Sequence, residues 1–329
     1  MAKYKVYITD FDYPDNEIEK SILEPIGAEV IGLHCKDGRH IDELAKDADA
    51  LMVQYAKVDG PTIERLNNLK VIARYGIGVD IVDVKTAYSR GIICTNVMGY
   101  CTDEVADHNI ALILMMVRRI PMYVKETKTG KWHWSETGLP VHWFNSLTVG
   151  VIGFGRIGRN MGEKLYDIGF NLAYYDPFVK EESLGNIKAR SLSLEELCRT
   201  SDIIVLQCPY TAETHHIIDE SKLRLMKKEA ILVNCSRGKL VDNKALYKAL
   251  SQGWIAAAGL DDPEEEPAKR FDWTPDMNPL FSLDNCFITP HVAYYSEESI
   301  LDARKIASEN VKAVLLGEKP INPVYPSGH

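Results

Sequence analysis

Two groups of residues in this chain of 329 have types and spacings that could do chemistry. In the first, glycine recurs as GxGxxG at Gly153, Gly155 and Gly158. The motif follows the β-branched run Val149–Ile152 and precedes a stretch that places Met161, Leu165 and Ile168 on one helical face. A glycine-rich turn between strand and helix suits a dinucleotide. Gly153 permits the tight turn, Gly155 lets the backbone approach a pyrophosphate, and Gly158 lets helix and strand pack closely. Arg156 and Ile157 open the helix, whose N-terminus offers N–H groups and a positive dipole end to the phosphates. Asp176 ends the next strand-like run. An acid there can accept from both ribose hydroxyls and would repel a 2′-phosphate, so NAD is expected rather than NADP.

The second group lies near strand ends in the second half. Arg237, in Asn234-Cys235-Ser236-Arg237-Gly238, has a planar guanidinium that can fork onto a carboxylate. His291, in Thr289-Pro290-His291, can exchange a proton near neutral pH. The acidic run Asp261-Asp262-Pro263-Glu264-Glu265-Glu266 can supply a carboxylate that keeps such a histidine protonated and in one tautomer. Composition leaves Glu264, Glu265 and Glu266 equally eligible. A cation, an acid/base and a supporting carboxylate are what hydride transfer to a 2-keto acid asks of a protein. No metal is expected, because His215-His216 are adjacent and have no spaced partners.

Elements must bring these groups together. The first hundred residues alternate β-branched runs (Lys5–Thr9, Glu29–Leu33, Ala50–Gln54, Val71–Arg74, Ile92–Thr95) with polar periodic stretches such as Asn16–Ile26 and Ile41–Lys46. A second series runs Leu147–Ile152, Asn171–Tyr175, Ile203–Gln207, Ala230–Asn234, Ala256–Leu260 and Cys286–Ile288. Strands separated by helical stretches predict an α/β fold with two doubly wound parallel sheets. In such sheets ligands bind at the carboxyl ends of strands, which is where both chemical groups fall. Asp103–Arg119 reads as a buried helix whose continuation Pro121 limits, followed by an aromatic loop from Gly130 through Trp132, Trp134 and Trp143. Glu297–Leu316 reads as one long helix ending at Gly317.

Composition narrows the class. A net charge of −9 and a pI near 5.6 argue against a nucleic-acid or anionic-membrane binder, which needs clustered positive charge. The most apolar run, Ile110–Val117, is far short of the ~20 residues that span a bilayer. The N-terminus has no apolar core of a signal peptide. Seven scattered cysteines without a CxxC fit reduced thiols in a cytoplasmic protein.

Further segments add to the fingerprint: Ala73-Arg74-Tyr75-Gly76-Ile77-Gly78-Val79-Asp80, Asp103 to His108, Cys208 to Thr214, Val233 to Asp242, Gly259-Leu260-Asp261 with Glu266-Pro267, and Thr289 to Glu297. In this order they resemble the D-isomer-specific 2-hydroxyacid dehydrogenases across nearly the whole chain. Within that family the chain is most similar to the branch of the C-terminal-binding-protein corepressors and their bacterial dehydrogenase relatives. The resemblance implies an NAD-dependent enzyme that interconverts a small 2-keto acid and its D-2-hydroxy acid. It assigns the acid/base to His291, its carboxylate partner to Glu266, and substrate binding to Arg237 with the Tyr75, Gly76, Ile77 and Gly78 amides. Tyr294 would help shape the pocket. Asp261 would hold the nicotinamide carboxamide, while Tyr100, Cys208, Pro209, Thr214, Cys235, Ser236 and Ala293 would line the cofactor.

The resemblance also implies a Rossmann NAD-binding domain over 100–294, inserted in a flavodoxin-like substrate domain of 1–99 plus 295–329. A homodimer is expected. The alternative within the same family is an NAD(H)-sensing corepressor-like module with little turnover; a formate dehydrogenase is disfavoured because such enzymes carry glutamine at the Glu266 position. Three departures stand out. Asp262-Pro263 replaces a usual hydrophobic pair, Asn243 replaces a glutamate, and Ile81 replaces an asparagine.

Overall fold

The structure of the protein is a computed structural model that describes residues 2–137, 140–180, 187–270 and 272–326. Two compact units result. One comprises Met1–Cys101, Ala268–Phe271 and Tyr295–His329; the other comprises Thr102–Pro267 and Asp272–Tyr294.

The first unit begins with five strands, β1 (Tyr4–Ile8), β2 (Ala28–Gly32), β3 (Ala50–Val53), β4 (Val71–Arg74) and β5 (Ile93–Thr95). Between them lie α1 (Glu17–Leu23), α2 (Ile41–Leu44), α3 (Gly60–Arg65) and α4 (Val84–Ser89). The strands pair in parallel in the order β2-β1-β3-β4-β5, the flavodoxin-like arrangement. Alternation along the strands feeds two cores. Val6, Ile8, Met52 and Ala73 enter one, while Tyr7, Leu51, Val53 and Ile72 enter the other. A sheet buried on both faces is what a parallel sheet requires.

The second unit opens with α5 (Thr102–Val117) and α6 (Ile120–Lys128). Its sheet contains β6 (Thr148–Ile152), β7 (Asn171–Tyr175), β8 (Ala189–Ser191), β9 (Ile203–Leu206), β10 (Ile231–Asn234), β11 (Ala257–Leu260) and β12 (Cys286–Ile288). Helices α7 (Arg156–Asp167), α8 (Leu194–Thr200), α9 (Glu220–Leu225) and α10 (Asn243–Ser251) connect them. The order β8-β7-β6-β9-β10-β11-β12 reverses direction beside β6, giving the switch point of a Rossmann sheet. The chain then returns to the first unit as α11 (Glu297–Leu315). That helix starts from a capping box at Ser296 and Ser299 and is followed by Gly317 with φ +80°. The final strand β13 (Pro323–Val324) pairs antiparallel with β5 at the sheet edge, the position where a strand proline is tolerated.

Three local readings are corrected. Helix α6 is present with Pro121 in its first turn, where a missing N–H costs nothing, so that proline opens a helix as well as limiting α5. Short edge strands β8 and β13 carry too few residues to show a period. Ile168 is 42% exposed and stands outside the buried face of α7, which consists of Gly158, Met161, Gly162 and Leu165. Tyr100 packs against the Tyr4–Val6–Ile8 core of the first unit. Trp132, Trp134 and Trp143 are exposed. No helix among the described residues is long and apolar enough to cross a membrane.

A buried ion pair ties α1 to α11. Arg304 donates to both oxygens of Glu19, at 2.9 and 2.7 Å, and to the Asp15 carbonyl at 2.8 Å. Glu19 is fully buried and Arg304 is 4% exposed. The Tyr75 hydroxyl donates to Glu19 at 3.1 Å, and the Tyr13 ring lies 4.8 Å from the Arg304 guanidinium. Burial, and then the negative charge of Glu19, hold the Tyr75 phenol well above its ordinary range.

Candidate active site

Every loop singled out for chemistry in the second unit leaves the C-terminal end of a strand. The fingerprint follows β6, Asp176 follows β7, Cys208 follows β9, Arg237 follows β10, Glu266 follows β11 and His291 follows β12. The β6–α7 turn fits a dinucleotide. A Cβ on Gly153, which has φ +91°, would lie 2.4 Å from the Cys208 nitrogen, so only glycine lets these two strand ends approach. Above Gly155 there is open space, and Gly155 and Arg156 are exposed at the start of a 12-residue helix. That leaves backbone amides and the helix dipole accessible to a phosphate. Asp176 accepts hydrogen bonds from the Phe154 and Phe178 amides at 2.8 and 2.9 Å, which fixes its carboxylate beside the turn.

Other residues assigned to the cofactor are placed as scaffold. Thr214 donates to the Pro209 carbonyl at 2.8 Å. Ser236 donates to the Leu206 carbonyl at 3.0 Å. Burial pushes the Cys208 thiol up to about 12 and the Cys235 thiol well above its ordinary range, so neither is a thiolate nucleophile. The Asp261 carboxylate is 3% exposed. It accepts from the Thr289 hydroxyl at 2.6 Å and from the Val292 and Ala293 amides at 2.9 and 2.8 Å. In this structure it therefore buttresses the turn that carries His291.

Arg237 leads into a short 3₁₀ turn, Gly238–Leu240, and is half-buried. Asn234 steadies the loop from both sides: its amide donates to the Arg237 carbonyl at 2.8 Å, and its oxygen accepts from Ser236 N–H at 3.1 Å. A Cβ on Gly238 would lie 2.4 Å from Pro263 backbone atoms and 2.6 Å from the Glu264 nitrogen. The arginine loop therefore rests directly on the backbone of the acidic loop.

The structure separates the three consecutive glutamates by their partners. Glu264 meets His216 at 2.8 Å. Glu265 accepts from the Asn243 and Asn278 amides at 3.1 and 2.8 Å. Glu266 lies 3.1 Å from the Lys239 ammonium, at the edge of the arginine loop. Both Glu266 and His291 hold left-handed backbone, with φ +52° and +56°. Such strain in a non-glycine residue costs on the order of 1 kcal/mol and tends to persist at functional sites. The His291 amide donates to the Asp261 carbonyl at 2.7 Å, and the Tyr294 ring stands edge-on, 6.0 Å from the imidazole. Beside His291, Asp262 brings a carboxylate oxygen to 3.3 Å from Nδ1. Neither this approach nor the Lys239–Glu266 pair was visible in spacing. His108 on α5 was also missed; its Nε2 lies 3.0 Å from the Thr289 hydroxyl.

In the first unit, the loop after β4 divides the expected carboxylate donors. The Tyr75 N–H is committed to the Val53 carbonyl and that of Gly76 to the Arg74 carbonyl, each at 2.9 Å. The Tyr75 side chain points into the core toward Glu19. The Tyr75 and Gly76 amides are thus bonded within this unit.

A family model of the D-isomer specific 2-hydroxyacid dehydrogenase NAD-binding domain matches residues 110–293. A glyoxylate reductase of Korarchaeum cryptofilum is 39% identical over 86% of this chain and 85% of its own length. A D-3-phosphoglycerate dehydrogenase of Methanocaldococcus jannaschii is 38% identical over 97% of this chain, which spans only 59% of that protein. A D-lactate dehydrogenase of Aquifex aeolicus, solved with NAD and lactic acid, superposes with a TM-score of 0.88 at 30% identity, covering 98% of this chain and 100% of that one. With the Rossmann sheet and its glycine cradle already in place, these likenesses make the chain a member of the D-isomer specific 2-hydroxyacid dehydrogenases, oxidoreductases that act on CH–OH groups with NAD.

Proposed function

We propose that this protein reduces a small, unphosphorylated 2-keto acid to its D-2-hydroxy acid. The observation that carries the reading is the position of Arg237, Glu266 and His291. All three follow strands of the sheet that also carries the dinucleotide cradle. NADH, when bound, supplies a hydride to the carbonyl carbon. Arg237 forks onto the substrate carboxylate and fixes the carbonyl in one orientation. As the carbon–oxygen double bond becomes single, His291 gives a proton to the oxygen, and in reverse the neutral imidazole takes it back. A carboxylate of the loop after β11 keeps the imidazole oriented, and the family resemblance gives that task to Glu266. Likeness to a glyoxylate reductase over most of that enzyme's length supports a small acid.

The test is NADH absorbance against glyoxylate, pyruvate, hydroxypyruvate and 3-phosphohydroxypyruvate. Turnover is expected on at least one of the first three and not on the last. Activity confined to the phosphorylated acid, or absent from all four, would overturn the proposal. Arg237→Lys retains charge but not the fork. It should lower kcat/KM by about 10- to 100-fold, the worth of one charge-assisted hydrogen bond. An unchanged kcat/KM would remove Arg237 from substrate binding.

A further inference from the structure

The surroundings of Asp262 are unusual for an acid. It is 4% exposed, and both its oxygens are buried without a hydrogen-bond donor among the described residues. The neighbouring acid differs completely: Asp261 has both oxygens engaged by the turn at 289–293. A buried carboxylate is costly to keep ionised unless a cation adjoins it. Beside Asp262 stands the His291 ring, whose Nδ1 lies 3.3 Å from a carboxylate oxygen, close enough for charge attraction though outside hydrogen-bond geometry. Pro263, next in the chain, restricts the backbone there. Gly238 lies against that proline, so the acid is held by packed backbone.

Resting on the reading of His291 as acid/base, we propose that Asp262 is a positioning residue for it. Its carboxylate faces Nδ1 and favours the tautomer with a proton there, leaving Nε2 to exchange the proton with the substrate oxygen. Other ionisable groups on the loops and helix around this turn include Asp261, Glu264, Glu265, Glu266, His108, Tyr294, Lys239 and Arg237. Of these, Asp261 already has amide and hydroxyl donors, and Glu266 faces Lys239.

The experiment compares Asp262→Asn, Asp262→Glu and Glu266→Gln with the unaltered enzyme, each also combined with His291→Gln. Asp262→Asn keeps the shape and removes the charge. It should lower kcat for keto-acid reduction by about 10- to 100-fold, a share of the usual general acid contribution. NADH affinity and melting temperature should stay near those of the unaltered enzyme. Asp262→Glu, which restores the charge, should recover much of the rate. In the His291→Gln background, Asp262→Asn should cause no further loss. An unchanged kcat in Asp262→Asn, or equal losses with and without His291, would overturn the positioning role. A rate lost in Glu266→Gln but not in Asp262→Asn would return the role to Glu266. If His291→Gln by itself keeps full turnover, the acid/base reading fails, and this inference fails with it.

Discussion

A His291→Gln variant is expected to reduce keto acids about 10²- to 10⁴-fold more slowly than the unaltered protein, the range that a positioned general acid contributes. NADH binding should be retained, because the glycine cradle follows β6 while His291 follows β12. The comparison is clean in one further respect. His291 sits at φ +56° with its amide bonded to the Asp261 carbonyl. Glutamine has the same backbone and would inherit the same strain and the same hydrogen bond. Loss of turnover without loss of cofactor binding or melting temperature would therefore report the imidazole itself. Turnover within a few-fold of the unaltered protein would mean that another group protonates the substrate.

The second large effect concerns stability. Glu19→Ala or Arg304→Ala, made singly, should cost about 3–5 kcal/mol, because each strands its partner's charge in the core. In a calorimetric scan this corresponds to a fall in Tm on the order of 10 °C for a unit of this size. Arg304 makes paired bonds to Glu19 at 2.9 and 2.7 Å, so the geometry lost is that of a full fork. Replacing both with apolar side chains of similar volume should be less harmful than either single change, since no bare charge remains. A single variant that melts within a degree or two of the unaltered protein would show that water reaches the pair. Tyr75→Phe, which removes one donor to Glu19, should cost only about 1 kcal/mol.

Much of this architecture was legible in the sequence because parallel sheets buried on both faces leave a strong trace. The runs Val71–Arg74 and Asn171–Tyr175 form strands over the predicted residues, since β-branched and apolar residues have little alternative there. The trace fades where an element is short or sits at an edge, as in β8 and β13. Pro121 misled in an informative way. Proline forbids a helix interior but favours a helix start, and only the left-handed cap at Arg119 distinguishes the two. In the site, residue type and spacing selected Arg237, His291 and the acidic run. They left Glu264, Glu265 and Glu266 equivalent, and the structure sorts these by partners from His216, Asn278 and Lys239. Asp262 was visible only as a departure from pattern, because a side chain's facing across two loops has no one-dimensional signature.

The contact at Gly238 reaches beyond packing. Because its Cα face presses on Pro263, the loop of Arg237 and the loop that carries the acids must move together. A lineage adapting to a longer or bulkier acid could not do so by sliding the arginine outward, since the acidic loop would be displaced with it. A side chain outside this joint, such as Tyr294 edge-on to His291, can by contrast change without moving either loop.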